Sequence, residues 1–366
     1  MADFVTDFNR PVYCILGLPI DAVDMTQAVQ RLEQARSSGQ RCFLSTPNLN
    51  FIVASQKNPL FRESVCQSDL SLADGMPLVW IARLLGIPLP ERVSGSGLFE
   101  RLRGQSATRW KVFFFGGQAG VGEAACQAIG EREAGMSAAG HLYPGMGSVA
   151  EMSRADWIER INDSGADLLL VSLGAAKGQQ WIVRNLAALK PPVVSHLGAV
   201  INFVAGNVAR APRWMQRSGL EWLWRIKEEP QLFRRYRDDG LALLRLLLTR
   251  VLPLMLWQRQ GAAPAADYAR AEVRRGDEPR RLALHGAWRA DNLAPLRQAF
   301  TELLAGDGDA MLDLDDCCDL DSAAVALLLL LAQALSDRGQ RLRLVGLTPR
   351  LRRLLHLHCA DHLIAP

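Results

Sequence analysis

Along residues 12–204 the apolar positions switch repeatedly between two spacings. Short, largely apolar runs that read as strands occur at 12–18, 41–46, 70–73, 111–115, 167–172 and 193–197. Between them, helical spacing predicts helices over 26–35, 49–56, 77–85, 121–132, 154–162 and 179–189. Val112, Phe113, Phe114 and Phe115 form an unbroken apolar run, as do Leu168, Leu169, Leu170 and Val171. Strands of that kind are buried on both faces, as in a parallel sheet covered by helices. The alternation predicts an α/β fold with a Rossmann-like open sheet.

At residue 205 the pattern changes. Trp214, Trp222, Trp224 and Trp257 stand among arginines. Residues 241–257, LALLRLLLTRVLPLMLW, are strongly apolar but interrupted by Arg245, Arg250 and Pro253. At 17 residues with two internal charges the segment is a poor transmembrane span. A basic, tryptophan-bearing helix lying in a membrane interface fits better; a core helix of the first domain is the alternative. Residues 258–279 show no sustained period and read as a linker. Beyond them, strands at 282–284, 310–314 and 341–345 and helices at 292–304, 322–336 and 349–356 predict a second, smaller α/β domain over 280–366. The expected organisation is a first domain at 1–257, whose last part (205–257) is a basic helical appendage, then the linker and the small domain.

Charge sharpens this picture. The net charge is +4 over 366 residues, but it is unevenly placed. Residues 1–204 carry 18 basic and 18 acidic side chains, whereas 205–275 carry 14 basic against 7 acidic. Hydrophobic content of 49% with 22% charged residues excludes a disordered chain. Residues 1–10 hold no apolar stretch of the kind a secretory signal needs. Seven scattered cysteines without C-x-x-C spacing are expected to be reduced, buried thiols, and no Cys/His cluster suggests a metal.

The candidate chemistry lies where predicted strands end. Thr46, Pro47 and Asn48 join a strand to a helix, so Thr46 and Asn48 could hold a ligand or merely cap the helix. Asp74–Gly75 has the same placement; Asp74 is either a general base projecting into a cleft or a turn residue. Arg92 precedes the Gly/Ser-rich stretch Ser94–Gly95–Ser96–Gly97, which could offer backbone N–H groups to an anion. The turn after Phe115 resembles a dinucleotide fingerprint only loosely, which argues against NAD. Arg210, Arg213, Arg217, Arg225, Arg234, Arg235 and Arg237 form a cluster suited to a diphosphate, to anionic lipid or to nucleic acid, or are solvated surface charge.

Several of these segments resemble one family. TPNLNFI (46–52), LADGMPLVWIARLLGIPLPERVSG (72–95), FFFGGQAGVGEAA (113–125), GADLLLVSLGAAKGQQWI (165–182) and GNVARAPRWMQRSGLEWLWRIKEEP (206–230) are similar to the WecG/TagA/CpsF glycosyltransferases. The resemblance covers about 12–240. It implies inverting transfer of a hexose or N-acetylhexosamine from a UDP-sugar, without a metal or other cofactor. The acceptor would be a sugar on a polyprenyl diphosphate at the inner face of the bacterial cytoplasmic membrane, in surface or exopolysaccharide synthesis. On this resemblance Asp74 is the base, with Thr46 and Asn48 beside it. Arg92, Arg225, Arg234, Arg235 and Gln179 would bind the donor and its diphosphate, and 205–257 would meet the membrane surface. No nucleic-acid partner is expected. The chain departs from the family's usual GAPKQEKW at Gly178, where a pocket glutamine is expected unless Gln179 replaces it. It also has Gly97 in place of Asp, and Ile201–Asn202–Phe203 for FDF.

The small domain resembles a STAS domain, on AMLDL (310–314), LDSAAVALL (320–328) and LRLVG (342–346). Ser322 falls on the serine that some such domains have phosphorylated, and a phosphate there would add charge at a helix N-terminus. The alternative is that Ser322 only caps its helix. The STAS domain implies an unidentified protein partner. D-x-D sequences occur only in this domain, and Asp313–Leu314–Asp315 and Asp319–Leu320–Asp321 among them read as strand-end acids. A second overall reading is a degenerate transferase fold used as a scaffold, with the STAS domain docking a regulator.

Overall fold

The computed structural model describes residues 6–105, 109–130, 135–212, 214–215, 219–260, 267–268, 270–276 and 280–364. Arg213, Arg217 and parts of the expected linker lie outside them.

The first domain is built on a six-stranded, all-parallel sheet. In chain order its strands are β3 (Cys42–Ser45), β4 (Leu70–Ser71), β5 (Trp110–Gly116), β6 (Met136–Leu142), β7 (Leu168–Ser172) and β8 (Val193–His196). In space they run β4-β3-β8-β7-β5-β6. Nearly every residue of β3, β5, β7 and β8 is buried, as the unbroken apolar runs require. One face is covered by α1 (Met25–Ser38), α5 (Gly95–Arg103), α6 (Val121–Gly130) and α9 (Val200–Val204). The other is covered by α7 (Ala155–Asp163) and α8 (Ala175–Asn185), while α2 (Leu49–Ser55), α3 (Pro59–Cys66) and α4 (Met76–Leu84) share a separate apolar core with residues 15–20. β6 escapes the sequence pattern because MSAAGHL is an edge strand with only its end residues buried.

The run at 12–18 is not a strand of this sheet. It folds into a hairpin of β1 (Val12–Ile15) and β2 (Leu18–Asp21), antiparallel, with its own two-stranded ladder. Leu16 (φ +50°) and Gly17 (φ +85°) reverse the chain, the conformation a two-residue hairpin loop needs. A buried ion pair anchors its base: Arg10 lies 3.0 Å from Asp21 and donates to Ser68 O, while Asp21 accepts from Ser71 N.

The appendage contains α10 (Glu221–Glu228), then a helical run over Pro230–Arg259 made of α11 (Phe233–Leu246), a π-helical turn (Leu247–Val251) and α12 (Leu252–Gln260). This run is longer than the 17-residue reading allowed, and by length and composition alone it could cross a membrane. It nevertheless packs on the protein along one side. Asp239 accepts from Asn50, Val251 and Leu254 are buried, and Arg250 donates to His356 O.

The small domain's sheet runs β12 (Cys317–Leu320), β10 (Arg281–Trp288), β11 (Ala310–Asp313), β13 (Leu342–Val345), all parallel, with β9 (Glu272–Arg275) antiparallel on β10. β9 lies inside the segment read as linker, so the folded domain begins earlier than expected. Its helices are α13 (Ala294–Leu304), α14 (Ser322–Ser336) and α15 (Pro349–Leu357). The two domains share apolar cores at the hairpin. Phe8, Val12 and Cys14 share one apolar core with α14 and the small sheet, and Ile15, Leu18 and Ile20 share another with Leu357 and Cys359. Burial pushes the Cys14 and Cys42 thiols up, which leaves them as packing groups; all seven cysteines are free.

Candidate active site

Three loops at the carboxyl ends of β3 and β4 meet at Asp74. Asp74 N donates to Pro47 O, and Val93 N donates to Ala73 O. Gly75 lies against Asn48, a Cβ there coming within 3.7 Å of the Asn48 Cβ. Asp74 is not a cap of α4; that position is Gly75. Instead its carboxylate accepts from Gly95 N, the first residue of α5, at 3.1 Å. The positive end of α5 is therefore aimed at it. Burial pushes the Asp74 carboxyl up to about 6, against the opposing pull of Arg92, the Gly95 N–H and Arg210. A carboxylate with that value is a stronger base than an ordinary aspartate, yet is mostly ionised at neutral pH.

Thr46 is buried beneath Gly95, and a Cβ on Gly95 would come within 3.4 Å of Thr46 Oγ1. Asn48 is the N-cap of α2, accepting from Phe51 N at 3.2 Å. The capping alternative is thus realised for Asn48, and it still leaves the Nδ2 group of Asn48 available beside Gly75. Arg92 reaches across to the appendage and meets Glu221 at 3.0 Å. Arg210 was visible in sequence only as one of a basic cluster. The fold carries its guanidinium toward the start of α5, about 3.7 Å from where a Cβ on Gly97 would stand.

The remaining expected donor residues are less central. Arg225 pairs with Glu229 at 2.7 Å and stacks over Phe203 at 5.6 Å. Arg234 and Arg235 are exposed on the first turn of α11. Gln179 is fully buried, and its Nε2 donates to Ser45 Oγ at 2.9 Å, tying α8 to β3. The room left by Gly178 is filled from the neighbouring strand. A Cβ at Gly178 would fall 2.2 Å from His196 Cδ2, so the imidazole occupies that space. Burial holds His196 down to about 4, so it is neutral, and its Nε2 has no partner.

Ser322 also departs from expectation. Asp321 caps α14, accepting from Ala323 N and Ala324 N, while Ser322 is only 4% exposed and its hydroxyl has no partner. A kinase cannot reach it in this packing. Sequence reasoning also missed a cavity of about 270 Å³ at the ends of β5 and β6, lined by Gly116, His141, Tyr143, Trp157 and Arg160 among others. The glycines after Phe115 were its only signal. Among the described residues no group of three or more His, Cys, Asp or Glu side chains is arranged to hold a metal ion.

The open parallel sheet thus brings an aspartate, a threonine and an asparagine to the ends of β3 and β4, with Arg92 and Arg210 near the start of α5. Residues 13–255 match the glycosyl transferase WecG/TagA/CpsF family and residues 271–365 match the family described as "Mlab, STAS domain". The chain belongs to the WecG/TagA/CpsF family and is a glycosyltransferase with a C-terminal STAS domain. It is 28% identical over 221 residues to an N-acetylglucosaminyldiphosphoundecaprenol N-acetyl-beta-D-mannosaminyltransferase of Bacillus spizizenii, covering 59% of this chain and 84% of that protein. A protein of the same description from Staphylococcus aureus (strain MRSA252) is 27% identical over 214 residues, covering 58% and 82%.

Proposed function

We propose that the protein moves a hexose or N-acetylhexosamine from a UDP-sugar, with inversion, to a sugar carried on a polyprenyl diphosphate. The observation that carries this reading is Asp74, a carboxylate raised to about 6 and held between the β3 and β4 loops at the start of α5. Asp74 takes the proton of the acceptor hydroxyl as that oxygen attacks the anomeric carbon, and the bond to UDP breaks. Negative charge grows on the departing diphosphate. Arg92 and Arg210, whose charges act on Asp74, would receive it, with Arg225 further along the appendage. The cavity walled by Tyr143 and Trp157 offers an aromatic face to a nucleobase. At about 4.8 Å per strand, the sheet edge between it and Asp74 spans roughly 15–20 Å, a length suited to a nucleotide sugar laid across it.

Membrane attachment belongs to the same reading. Leu241, Leu244, Leu248 and Leu256 are exposed on one side of the Pro230–Arg259 run, with Arg234, Arg237 and Arg245 nearby. A helix packed on the protein along one side and apolar on the other suits the plane of a bilayer surface better than its interior. There it would meet a lipid-linked acceptor.

The test is UDP release from candidate UDP-sugars in the presence of lipid-linked acceptor, with Asp74→Asn as the control. Turnover should rise through about pH 6 to a plateau and should vanish in the variant. The sign of the shift adds a safeguard. A carboxyl raised in the folded state costs stability once pH rises through its folded value, so Asp74→Asn should be at least as stable as the parent above pH 6. No turnover and no UDP binding by the parent chain would favour the scaffold reading instead.

A further inference from the structure

α14 explains why the two domains share cores. Thirteen of its residues are buried, including Leu327, Leu328, Leu329, Leu330 and Leu331 in succession. A helix on one side of a sheet needs an apolar stripe, not an apolar circumference. Here the circumference is used. One side of α14 packs on its own sheet and α13, and the other on β1, β2 and α3 of the transferase domain. Polar contacts rim the seam: Arg297 donates to Phe8 O at 2.7 Å, and Gln67 donates to Asp337 at 2.6 Å. The face that a free STAS domain could offer to another protein is covered within the chain.

From this seam a short mechanical route leads to the site. The hairpin tip is lodged between the STAS C-terminal segment and α2. On one side, a Cβ at Gly17 would lie 2.7 Å from Cys359 O, so the tip fits there only as glycine. On the other, Gln56 Nε2 donates to Leu16 O at 2.9 Å. Gln56 ends α2, and Asn48 begins it only two turns away. Pro47, next to Asn48, accepts the Asp74 N–H. We propose that the working partner of the STAS domain is the transferase domain of its own chain, and that it positions the Asn48–Asp74 loops through the hairpin tip and α2. The final step of this inference rests on the catalytic reading of Asp74; the bracing of α2 does not.

Gln56 is then a positioning residue, and the donated hydrogen bond is the feature to remove. In the full-length chain, Gln56→Ala deletes it, and Gln56→Glu keeps the shape but cannot donate to Leu16 O when ionised. Gln67→Ala breaks a seam contact that does not touch α2. Hydrogen exchange of residues 49–55 should speed up about tenfold in both Gln56 variants. The kcat should fall about tenfold with KM for the UDP-sugar within about twofold, as expected when reacting groups are misplaced rather than lost. Gln67→Ala should change neither. Unchanged exchange in both Gln56 variants would overturn the proposal. So would faster exchange with unaltered kcat, or an equal effect from Gln67→Ala, which would indicate general loosening. Because exchange needs no turnover, a parent chain without transferase activity would sink the function while leaving the brace measurable.

Discussion

The helix Ser322–Ser336 and the run Pro230–Arg259 are both apolar over most of their length, yet one is sealed in a core and the other stands open along one side. The first carries no charged side chain, and its five successive leucines are each at most 1% exposed. The second carries arginines at 234, 235, 237, 245, 250 and 259, and exposes Leu241 at 62%, Leu244 at 54% and Leu248 at 59%. Apolarity alone does not separate these outcomes. The arginines do, because a guanidinium cannot be surrounded by hydrocarbon without a partner, so one flank of that run must stay near water or headgroups.

Paired substitutions test this contrast most severely. Leu328→Asp would put a carboxylate in a dry core and should cost about 4 kcal/mol or more, seen as loss of soluble, folded protein. Leu244→Asp should change stability by no more than about 0.5 kcal/mol, since the side chain is already in solvent. It should instead weaken flotation with anionic liposomes. Equal flotation by Leu244→Asp and the parent chain would remove the membrane role given to the open flank.

Acid should damage the sealed regions before the open one. Burial lowers His196 and His358 to about 4, from an ordinary value of 6.5. Their contribution is present above pH 6.5 and is lost as pH falls toward 4, because the unfolded chain takes up the protons first. Each should cost up to about 3 kcal/mol by pH 4, read as a falling denaturation midpoint. His358→Gln should flatten that fall; an unaltered pH profile would show that His358 is not its source.

Beside the site, Gly178 of α8 and His196 of β8 share one space. Gly178→Gln should destabilise by about 1–3 kcal/mol through collision with His196, and His196→Gly in the same chain should recover most of it. Additive effects in the double variant would show that the two positions do not share one space.

Much of the fold was legible in sequence. Buried parallel strands announce themselves as unbroken apolar runs, so β5 and β7 were placed nearly to the residue. Three outer strands are not legible in this way: β6 is dilute in apolar residues, and β9 and β12 are too short and polar to show a period. The placement of Asp74, Thr46 and Asn48 just past strand ends is readable, because each follows an apolar run and precedes a helical period. Arg210 is hidden among other arginines, and the burial of Gln179 against β3 is not readable, because sequence spacing alone does not tell which neighbour on a helix faces the sheet.

The sequence by itself determined which stretches must be buried, where the chain carries its surplus charge, and which polar groups end strands. Those properties are local, set by side-chain chemistry and spacing. Tertiary structure alone decided what covers each buried face and what shares each space. Only folding brings the 12–21 hairpin, α14 and Cys359 together from the two ends of the chain, or sets the His196 ring in the gap left by Gly178. Such choices depend on shape fit between distant segments, and no local pattern records it.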